Sequence, residues 1–185
     1  MFGISNAVSY GRNMVSAVQS KPSSIGDVLG SSSWIHVAST TGSKWSVHEG
    51  ETVLQLLESV TDKGLEEPDI FIISPFRIVQ DQMRQLIIRR EGLIRRLSKL
   101  SAREWAYERI GAVHTFQGRE AEAVIFLLGA PNENQNGARS WAGYPPNIVN
   151  VAVTRAKRRL YVVGNRQLWQ THGAFKTLSA RLPSV

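Results

Sequence analysis

Short apolar runs alternate along the chain with stretches in which apolar residues recur at helical spacing. The runs have the length of β-strands, and they occupy residues 34–38, 69–73, 109–113, 123–128 and 160–163. The run at 69–73 lies between Pro68 and Pro75 and is typical of a central parallel strand that is covered on both faces. Strands that alternate with helices, without a repeated segment, predict an α/β fold with a parallel sheet and helices on both faces.

Helical spacing is clearest on either side of the second predicted strand. Apolar residues recur at helical intervals after Gly50, and Gly64 is the predicted end of that helix. A long amphipathic helix is predicted from Pro75 to Leu100, with apolar residues on one face and basic residues on the other. The basic face either contacts phosphates or is simply solvated, and the solvated interpretation is favoured. The remaining predicted helices are residues 147–157 and a short segment after Asn165.

Two segments lack a strong pattern. Residues 1–33 are rich in Ser, Gly and Asn, and we expect a short helix or loop there that packs poorly by itself. We therefore divide the chain into an incomplete N-terminal extension, 1–33, and a main domain, 34–185. Residues 131–146 are dense in Asn, Gly and Pro and are predicted to form a long loop, which in compact domains often has a function. Trp141 or Tyr144 in this loop either stacks on a nucleic-acid base or takes part in ordinary loop packing.

Composition narrows the classes of function. The 185 residues suit one domain, and the net charge of +7 with a pI near 10.1 favours a polyanionic partner, although a solvated basic surface is the alternative. The chain has no cysteine, and its four histidines lack ligand-like spacing, so neither a disulfide nor a metal site is expected. We see no signal peptide and no apolar run long enough to span a bilayer. A cytoplasmic protein without membrane contact is the expectation.

Two polar sequences adjoin apolar runs and suggest a site. The first is VHTFQGRE at residues 113–120, and the second is NVAVTRAK at residues 150–157. Because open α/β sheets bind ligands at strand ends, both are expected at one edge of the sheet. The planar fork of Arg155 suits phosphate oxygens and the charge that develops in phosphoryl transfer, although pairing with a carboxylate is the structural alternative.

The other side chains of the first polar sequence have chemistry that suits a nucleotide or a nucleic acid. Glu120 can accept hydrogen bonds from a ribose hydroxyl, and Gln117 can link a bound nucleotide to a nucleic-acid strand. His114 and Thr115 follow a strand end and can contact a phosphate. Each also has a structural alternative, which for His114 is a buried and hydrogen-bonded ring. The chain contains no Gly-x-x-x-x-Gly-Lys-Ser/Thr loop and no Asp-Glu pair, so these residues alone cannot form the usual nucleoside triphosphate cradle.

Three sequences resemble motifs of superfamily 1 helicases, and they occur along the chain in the order that this family shows. VHTFQGRE resembles motif V, NVAVTRAK resembles motif VI, and IISPFRIVQ at residues 72–80 is similar to the motif after that family's third strand. The similarity is greatest to the branch that includes the nonsense-decay RNA helicases and the replication helicase-nucleases. It implies a RecA-like fold of the P-loop NTPase type. It also implies the second of two motor domains, with ATP and Mg²⁺ bound in the cleft between them, mainly by the first domain.

The resemblance also implies roles for individual residues. Arg155 corresponds to the arginine finger on the γ-phosphate, and Glu120 to the ribose contact. Gln117 with Gly118 corresponds to the link between nucleotide and nucleic acid. The residues implied to face or flank single-stranded DNA or RNA are Ser74, Pro75, Gln80, His114 and Thr115.

The chain departs from the helicase pattern in two places. The family's Tyr-Arg-x-x-Pro element is missing, and PPNI at residues 145–148 replaces an arginine-rich lead into motif VI. We therefore expect the chain to begin part-way into the second domain, to lack the first RecA-like domain, and to show no appreciable ATPase activity alone. The alternatives are a free-standing nucleic-acid-binding or regulatory module that pairs with a separate chain bearing the phosphate loop, and a truncated helicase remnant.

Overall fold

A parallel sheet forms the centre of the molecule. The structure, a computed structural model, describes residues 22–116, 118–144 and 147–185, and across these ranges five strands form one sheet in the order β1-β5-β4-β2-β3. Every pairing between neighbouring strands is parallel. The strands are β1 Ser33–His36, β2 Ile70–Ile73, β3 Ile110–Gly111, β4 Ala121–Leu127 and β5 Ala156–Gly164. The predicted α/β class with a RecA-like parallel sheet is confirmed.

Helices cover the sheet on both faces. Side chains of a strand alternate between faces, and Ala123, Val124, Ile125 and Phe126 of β4 are all fully buried. No helix within the described ranges is both long enough and apolar enough to cross a membrane. The α-helices are α1 Ser24–Leu29, α2 Val47–Asp62, α3 Arg77–Ile88, α4 Glu91–Leu97, α5 Ala102–Arg109, α6 Asn136–Gly143, α7 Asn147–Arg155, α8 Arg166–Trp169 and α9 Ala174–Arg181, and short 3₁₀ turns span Val113–Phe116 and Glu133–Gln135.

The single long helix predicted after Pro75 is two helices, α3 and α4. After Ile87, the next positions on the apolar face would be Arg90 and Glu91, which are charged and exposed. The apolar pattern resumes at Leu93 and Ile94, seven residues after Leu86 and Ile87, so it gives no sign of a break. The chain nevertheless leaves the helical conformation at Arg90, whose φ is −106° and ψ 43°. The break allows both helices to bury their own apolar faces.

Three residues of the basic face predicted along α3 and α4, Arg84, Arg95 and Arg96, are paired within the molecule. Arg84 donates to the carboxylate of Asp81 at 3.0 Å and to the carbonyl oxygen of Ile110 at 2.7 Å. Further ion pairs join Arg95 to Glu91 at 2.7 Å and Arg96 to Asp62 at 3.0 Å. These contacts support the solvated and structural interpretation of this face over a phosphate-binding one.

Two further predictions were wrong, the first because a local helix-start signal was missed and the second because buried polar contacts determine the structure. The strand predicted at 109–113 is only β3, and it follows α5, whose capping box joins Ser101 and Glu104. The loop predicted at 131–146 contains α6. Arg139 of α6 is 1% exposed and donates to the carbonyl oxygens of Ala130 at 2.8 Å and Asn132 at 2.7 Å. These bonds, rather than an apolar stripe, fix α6 on the domain.

The part of the predicted N-terminal extension that the structure describes is well packed, contrary to expectation. Ile25 of α1 is fully buried. The carboxylate of Glu122, on β4, accepts hydrogen bonds from Ser23 Oγ at 2.6 Å and from the backbone N–H of Ile25 at 3.1 Å. These bonds satisfy the helix N-terminus, which is also where a negative charge is favourable. Residues 1–21 lie outside the described residues.

The carboxyl group of Glu49 is buried beneath the turn that follows β4. Its side chain, in the first turn of α2, is fully buried, and Oε2 accepts a hydrogen bond of 2.7 Å from the backbone N–H of Gly129. Burial raises the pKa of Glu49 to about 8, although the bond from Gly129 acts in the opposite direction. The group is therefore protonated in the folded protein at neutral pH.

This raised pKa predicts a stability that falls as pH rises. Glu49 titrates at about 8 when folded against 4.5 when unfolded, so folding takes up a proton between those values. The free energy of unfolding should fall by about 1.4 kcal/mol per pH unit across that window, and its Glu49-dependent part is lost as pH passes 8. Urea denaturation from pH 5 to above pH 8 measures the slope.

Glu49→Gln is the matched variant, because its amide oxygen keeps the bond from Gly129 but does not titrate. We expect a much shallower slope and a higher stability than wild type at pH 8. Equal slopes for the two proteins would contradict the buried, protonated carboxyl group.

Candidate functional site

Glu120 and Arg155 lie side by side at the amino edge of the sheet. Strands β4 and β5 are parallel neighbours, and Ala121 is the register partner of Ala156. The residues that directly precede these partners are Glu120 and Arg155. The structure therefore brings the two polar sequences together, as the sequence predicts.

The guanidinium group of Arg155 joins the two sequences directly. Nη1 donates to the carbonyl oxygens of Phe116 at 3.3 Å and Arg119 at 3.1 Å, and Nη2 lies 3.3 Å from Thr154 Oγ1. No carboxylate of a described residue forms an ion pair with Arg155, and its Nε is buried without a hydrogen-bond partner among those residues. Carbonyl dipoles alone leave the charge of the group uncompensated. An anion would supply what is missing.

A 3₁₀ turn determines which residues of the first polar sequence are buried and which are exposed. Residues three apart share a side of such a turn, and Val113 and Phe116 are accordingly buried. Phe116 stacks on Phe71 of β2 with 4.2 Å between ring centroids. His114 and Thr115 are exposed. The exposure of His114 argues against its structural alternative, a buried ring.

Gly118 has a backbone conformation that favours glycine. Its φ is +76°, and no atom lies within 4 Å of the position that a Cβ would occupy. The next side chain, Arg119, lies over Phe71 at 5.1 Å. Glu120 is exposed and has no hydrogen bond or ion pair with any described residue. Gln117 lies outside the described residues, so its predicted position is not observed.

Ser74 and Gln80 are buried and brace the turn that follows β2. Ser74 Oγ accepts a bond from the backbone N–H of Phe76 at 3.3 Å, and Gln80 Nε2 donates to the carbonyl oxygen of Ser74 at 2.9 Å. The backbone N–H of Ser74 donates to the carbonyl oxygen of Gly111 at 3.1 Å, which joins the ends of β2 and β3. Among the three residues predicted as a nucleic-acid wall, only Pro75 is partly exposed.

The predicted residues occupy two edges of the sheet rather than one. Glu120 and Arg155 precede strands and lie at the amino edge, whereas Ser74 and Pro75 follow a strand and lie at the carboxyl edge. The single edge expected for the two polar sequences applies to Glu120 and Arg155, whereas His114 and Thr115 of the first sequence follow β3 and lie toward the carboxyl edge. The apolar pattern shows that a residue adjoins a strand but not which end of the sheet it occupies. Residues 112–120 connect one edge to the other.

A groove of about 500 Å³ opens beside Pro75 at the carboxyl edge. Sequence reasoning singled out Trp141 but did not connect it with Pro75, Lys44 or Arg77. Periodicity gives no signal for this association, because Lys44 and Trp141 belong to segments without an apolar pattern. The lining residues are Lys44, Pro75, Phe76, Arg77, Ile78, Ala138 and Trp141.

The residues present suit part of a nucleotide. Arg155 offers a cation and Glu120 an exposed carboxylate, which suit a phosphate and a ribose hydroxyl respectively. Within the described ranges, no group of three or more His, Asp or Glu residues lies close enough to hold a metal ion.

Comparison with known proteins identifies relatives for most of the chain. A family model described as AAA domain matches residues 11–167. The chain is 32% identical to DNA-binding protein SMUBP-2 of Rattus norvegicus over 74% of its length and 12% of the relative. It is 31% identical to DNA polymerase alpha-associated DNA helicase A of Schizosaccharomyces pombe, over 66% of the chain and 16% of that protein. It is 30% identical to the Regulator of nonsense transcripts 1 homolog of Neurospora crassa, over 67% of the chain and 10% of that protein.

The left-handed conformation of Gly118 predicts that two glycine substitutions differ in their effect on the stability of the fold. Gly118→Ala should destabilise the fold by about 1 kcal/mol, because an L-residue is strained at this φ although space for the methyl group is open. The control is Gly92→Ala within α4, where nothing lies within 4 Å of the new Cβ and alanine is the better helix former. Urea denaturation should show a loss for the first variant and no loss for the second. Equal effects would contradict this account.

Proposed function

This chain belongs to the AAA domain family and is a RecA-like domain of the superfamily 1 helicase type, and we propose that it acts as the C-terminal motor domain of an ATP-dependent helicase. The chain spans only 10% to 16% of each relative described above, so the activity of a whole helicase is part of the proposal. In this role the domain contributes one side of an ATP site and part of a track for single-stranded DNA or RNA.

The observation that carries the proposal is the position of Arg155. Its guanidinium is fixed by backbone carbonyls at the sheet edge, lacks a carboxylate partner in the described part of the chain, and lies next to Glu120 in the β4–β5 register. A cation fixed in this way stabilises the charge that develops in phosphoryl transfer. Arg155 would then act as the arginine finger, and Glu120 would accept a hydrogen bond from the ribose.

ATP, with its magnesium ion, would supply the phosphoryl group whose transfer to water drives the motor. This chain has no phosphate loop, so a first RecA-like domain would hold most of the nucleotide. Gly118 and Gln117 would lie between the nucleotide and the nucleic acid. The backbone freedom of Gly118 permits the turn that brings the carbonyl oxygen of Arg119 to Arg155.

A nucleic-acid track is supported by charge and exposure. The chain carries a net charge of +7, and His114, Thr115 and Pro75 present at least part of their surface to solvent. The relatives are named as a DNA-binding protein, a DNA helicase and a regulator of nonsense transcripts. Phosphate neutralisation by basic residues supplies most of the sequence-independent affinity for nucleic acid.

Reconstitution tests the proposal. The purified chain alone should hydrolyse no ATP above background. Mixed with the first RecA-like domain of a related helicase and single-stranded DNA, it should give measurable phosphate release. Arg155→Ala should reduce that rate by about a thousandfold or more, and Arg155→Lys should not restore it, because lysine lacks the planar fork.

Arg89→Ala is the matched control, since Arg89 is an exposed arginine at the end of α3, far along the chain from either polar sequence. It should leave the rate unchanged. Circular dichroism melting would show whether each variant remains folded. ATP turnover by the chain alone that depends on Arg155, or reconstituted turnover that Arg155→Ala does not affect, would contradict the proposed role.

A further inference from the structure

Trp141 presents an aromatic surface that the fold supports from beneath. The side chain is 57% exposed, yet its ring stacks on Phe76 with 6.0 Å between centroids and an interplanar angle of 30°. Phe76 is itself buried and contacts the ring of Trp169 at 6.2 Å. One part of Trp141 is therefore backed by buried aromatic rings, while more than half of it faces solvent.

Helix α6 holds Trp141 in place. Arg139, two residues earlier, is buried and donates to three backbone carbonyl oxygens that precede the helix. On the other side, Gly143 packs so closely on the backbone of His172 that a Cβ at Gly143 would lie 2.9 Å from the carbonyl oxygen of His172. Because the fold already orders Trp141, stacking of a ligand on this ring costs the protein little conformational entropy.

Two cations flank the same aromatic surface. Lys44 Nζ lies 5.1 Å from the centroid of the Phe76 ring, and Arg77 has a side chain that is 94% exposed. The nearest partner of Arg77 is Asp81, whose carboxylate lies 3.7 Å from its Nε, and such an exposed pair contributes little. None of the residues that line the groove carries a carboxylate. The groove therefore combines an open aromatic face with positive charge at its margins.

We propose that this groove binds single-stranded nucleic acid by stacking an unpaired base on Trp141 while Lys44 and Arg77 contact the flanking phosphates. Stacking platforms between cations are how proteins hold single strands without reading their sequence. The proposal rests on the proposed helicase function and extends it to residues outside the motif V and motif VI sequences. The net charge of +7 and the cations at the groove favour a polyanion over an apolar protein segment.

Anisotropy titrations with two labelled oligonucleotides test the proposal. One is a single-stranded deoxyadenosine oligomer, and the other is an oligomer of equal length with abasic sites throughout. Trp141→Ala in the full chain should weaken binding of the first by about fivefold or more and leave binding of the second unchanged. Trp141→Phe should recover part of the loss, because phenylalanine also stacks.

The controls separate stacking from charge and from misfolding. Tyr107→Ala removes an aromatic ring of similar exposure, 53%, from helix α5 and should leave both affinities unchanged. Lys44→Ala and Arg77→Ala should weaken both oligomers, and each should reduce the slope of log affinity against log salt by about 1. Trp141→Ala should not change that slope. Thermal melting of every variant should match wild type.

Three outcomes would overturn the proposal. The first is an equal loss on the two oligomers with Trp141→Ala, and the second is absence of single-strand binding by the wild-type chain. The third is a concentration-dependent dimer that Trp141→Ala abolishes, which would assign the groove to a second copy of this chain. In each case the Arg155 dependence of reconstituted ATP hydrolysis reports separately on the proposed function.

Discussion

The parallel pairing of β4 with β5 is the constraint on which the amino-edge site depends. Ala121 and Ala156 are register partners, and after a bulge between Ala121 and Ala123 the strands are buried on both faces from Ala123 and Leu160 onward. A slip of one residue would shift the strands by about 3.3 Å and reverse the faces of the shifted strand's side chains. Packing of the core therefore fixes the two strands relative to one another, and the Ala121–Ala156 pairing places Glu120 and Arg155 next to each other, although neither side chain belongs to the core. The polar residues are positioned by their apolar neighbours.

Residues 112–120 join the two edges of the sheet physically. At the carboxyl edge, Thr115 packs directly against Gly111, where an added Cβ would lie 2.7 Å from Thr115 Oγ1. In the middle, Phe116 stacks on Phe71. Toward the amino edge, Arg155 holds the carbonyl oxygens of Phe116 and Arg119. A movement of the Arg155 guanidinium would break hydrogen bonds to the same segment that exposes Thr115 to solvent.

The parts of the fold that could be predicted are those in which local pattern and burial agree. Strands β2 and β4 are apolar and buried, and α2 has a regular apolar face, so periodicity indicates all three. Helix α6 could not be predicted in this way. Its N-terminal region depends on the buried guanidinium of Arg139 and backbone carbonyls, and its sequence otherwise resembles a loop. The same limit applies to the division between α3 and α4, because the apolar face stays in phase across the break and periodicity therefore predicts one helix.

The candidate site likewise has features that the sequence could predict and features that it could not. The sequence predicts that the two polar sequences adjoin strands, but it does not predict the direct adjacency of Glu120 and Arg155. That adjacency arises because β4 and β5 begin at Ala121 and Ala156, earlier than the predicted runs at 123 and 160. The burial of Ser74 and Gln80 could not be predicted either, since a serine and a glutamine after a strand can as easily bind a ligand as brace a turn. The groove at the carboxyl edge was missed for a different reason. Lys44 and Trp141 are distant in sequence and meet only through the turn that follows β4.

That turn explains why a surface groove has a fixed shape. Gly129 and Ala130 both have positive φ, 65° and 50°, and for Ala130 this conformation is strained. Glu49 and Trp169 bind the N–H and carbonyl of Gly129. The N–H of Ala130 donates to the Lys44 carbonyl oxygen at 2.8 Å, and its own carbonyl accepts from the guanidinium of α6.

Every backbone polar group of Gly129 and Ala130 is thus paired with a different element of the fold. One of these bonds sets the backbone of Lys44, and another sets the helix that carries Trp141. Buried bonds of this kind are costly to leave unmade, so the strained turn and its partners form together or not at all. The two flanks of the groove are therefore set by the N–H and the carbonyl of one residue, Ala130, and the spacing between a cation and an aromatic ring on the surface follows from hydrogen bonding in the core.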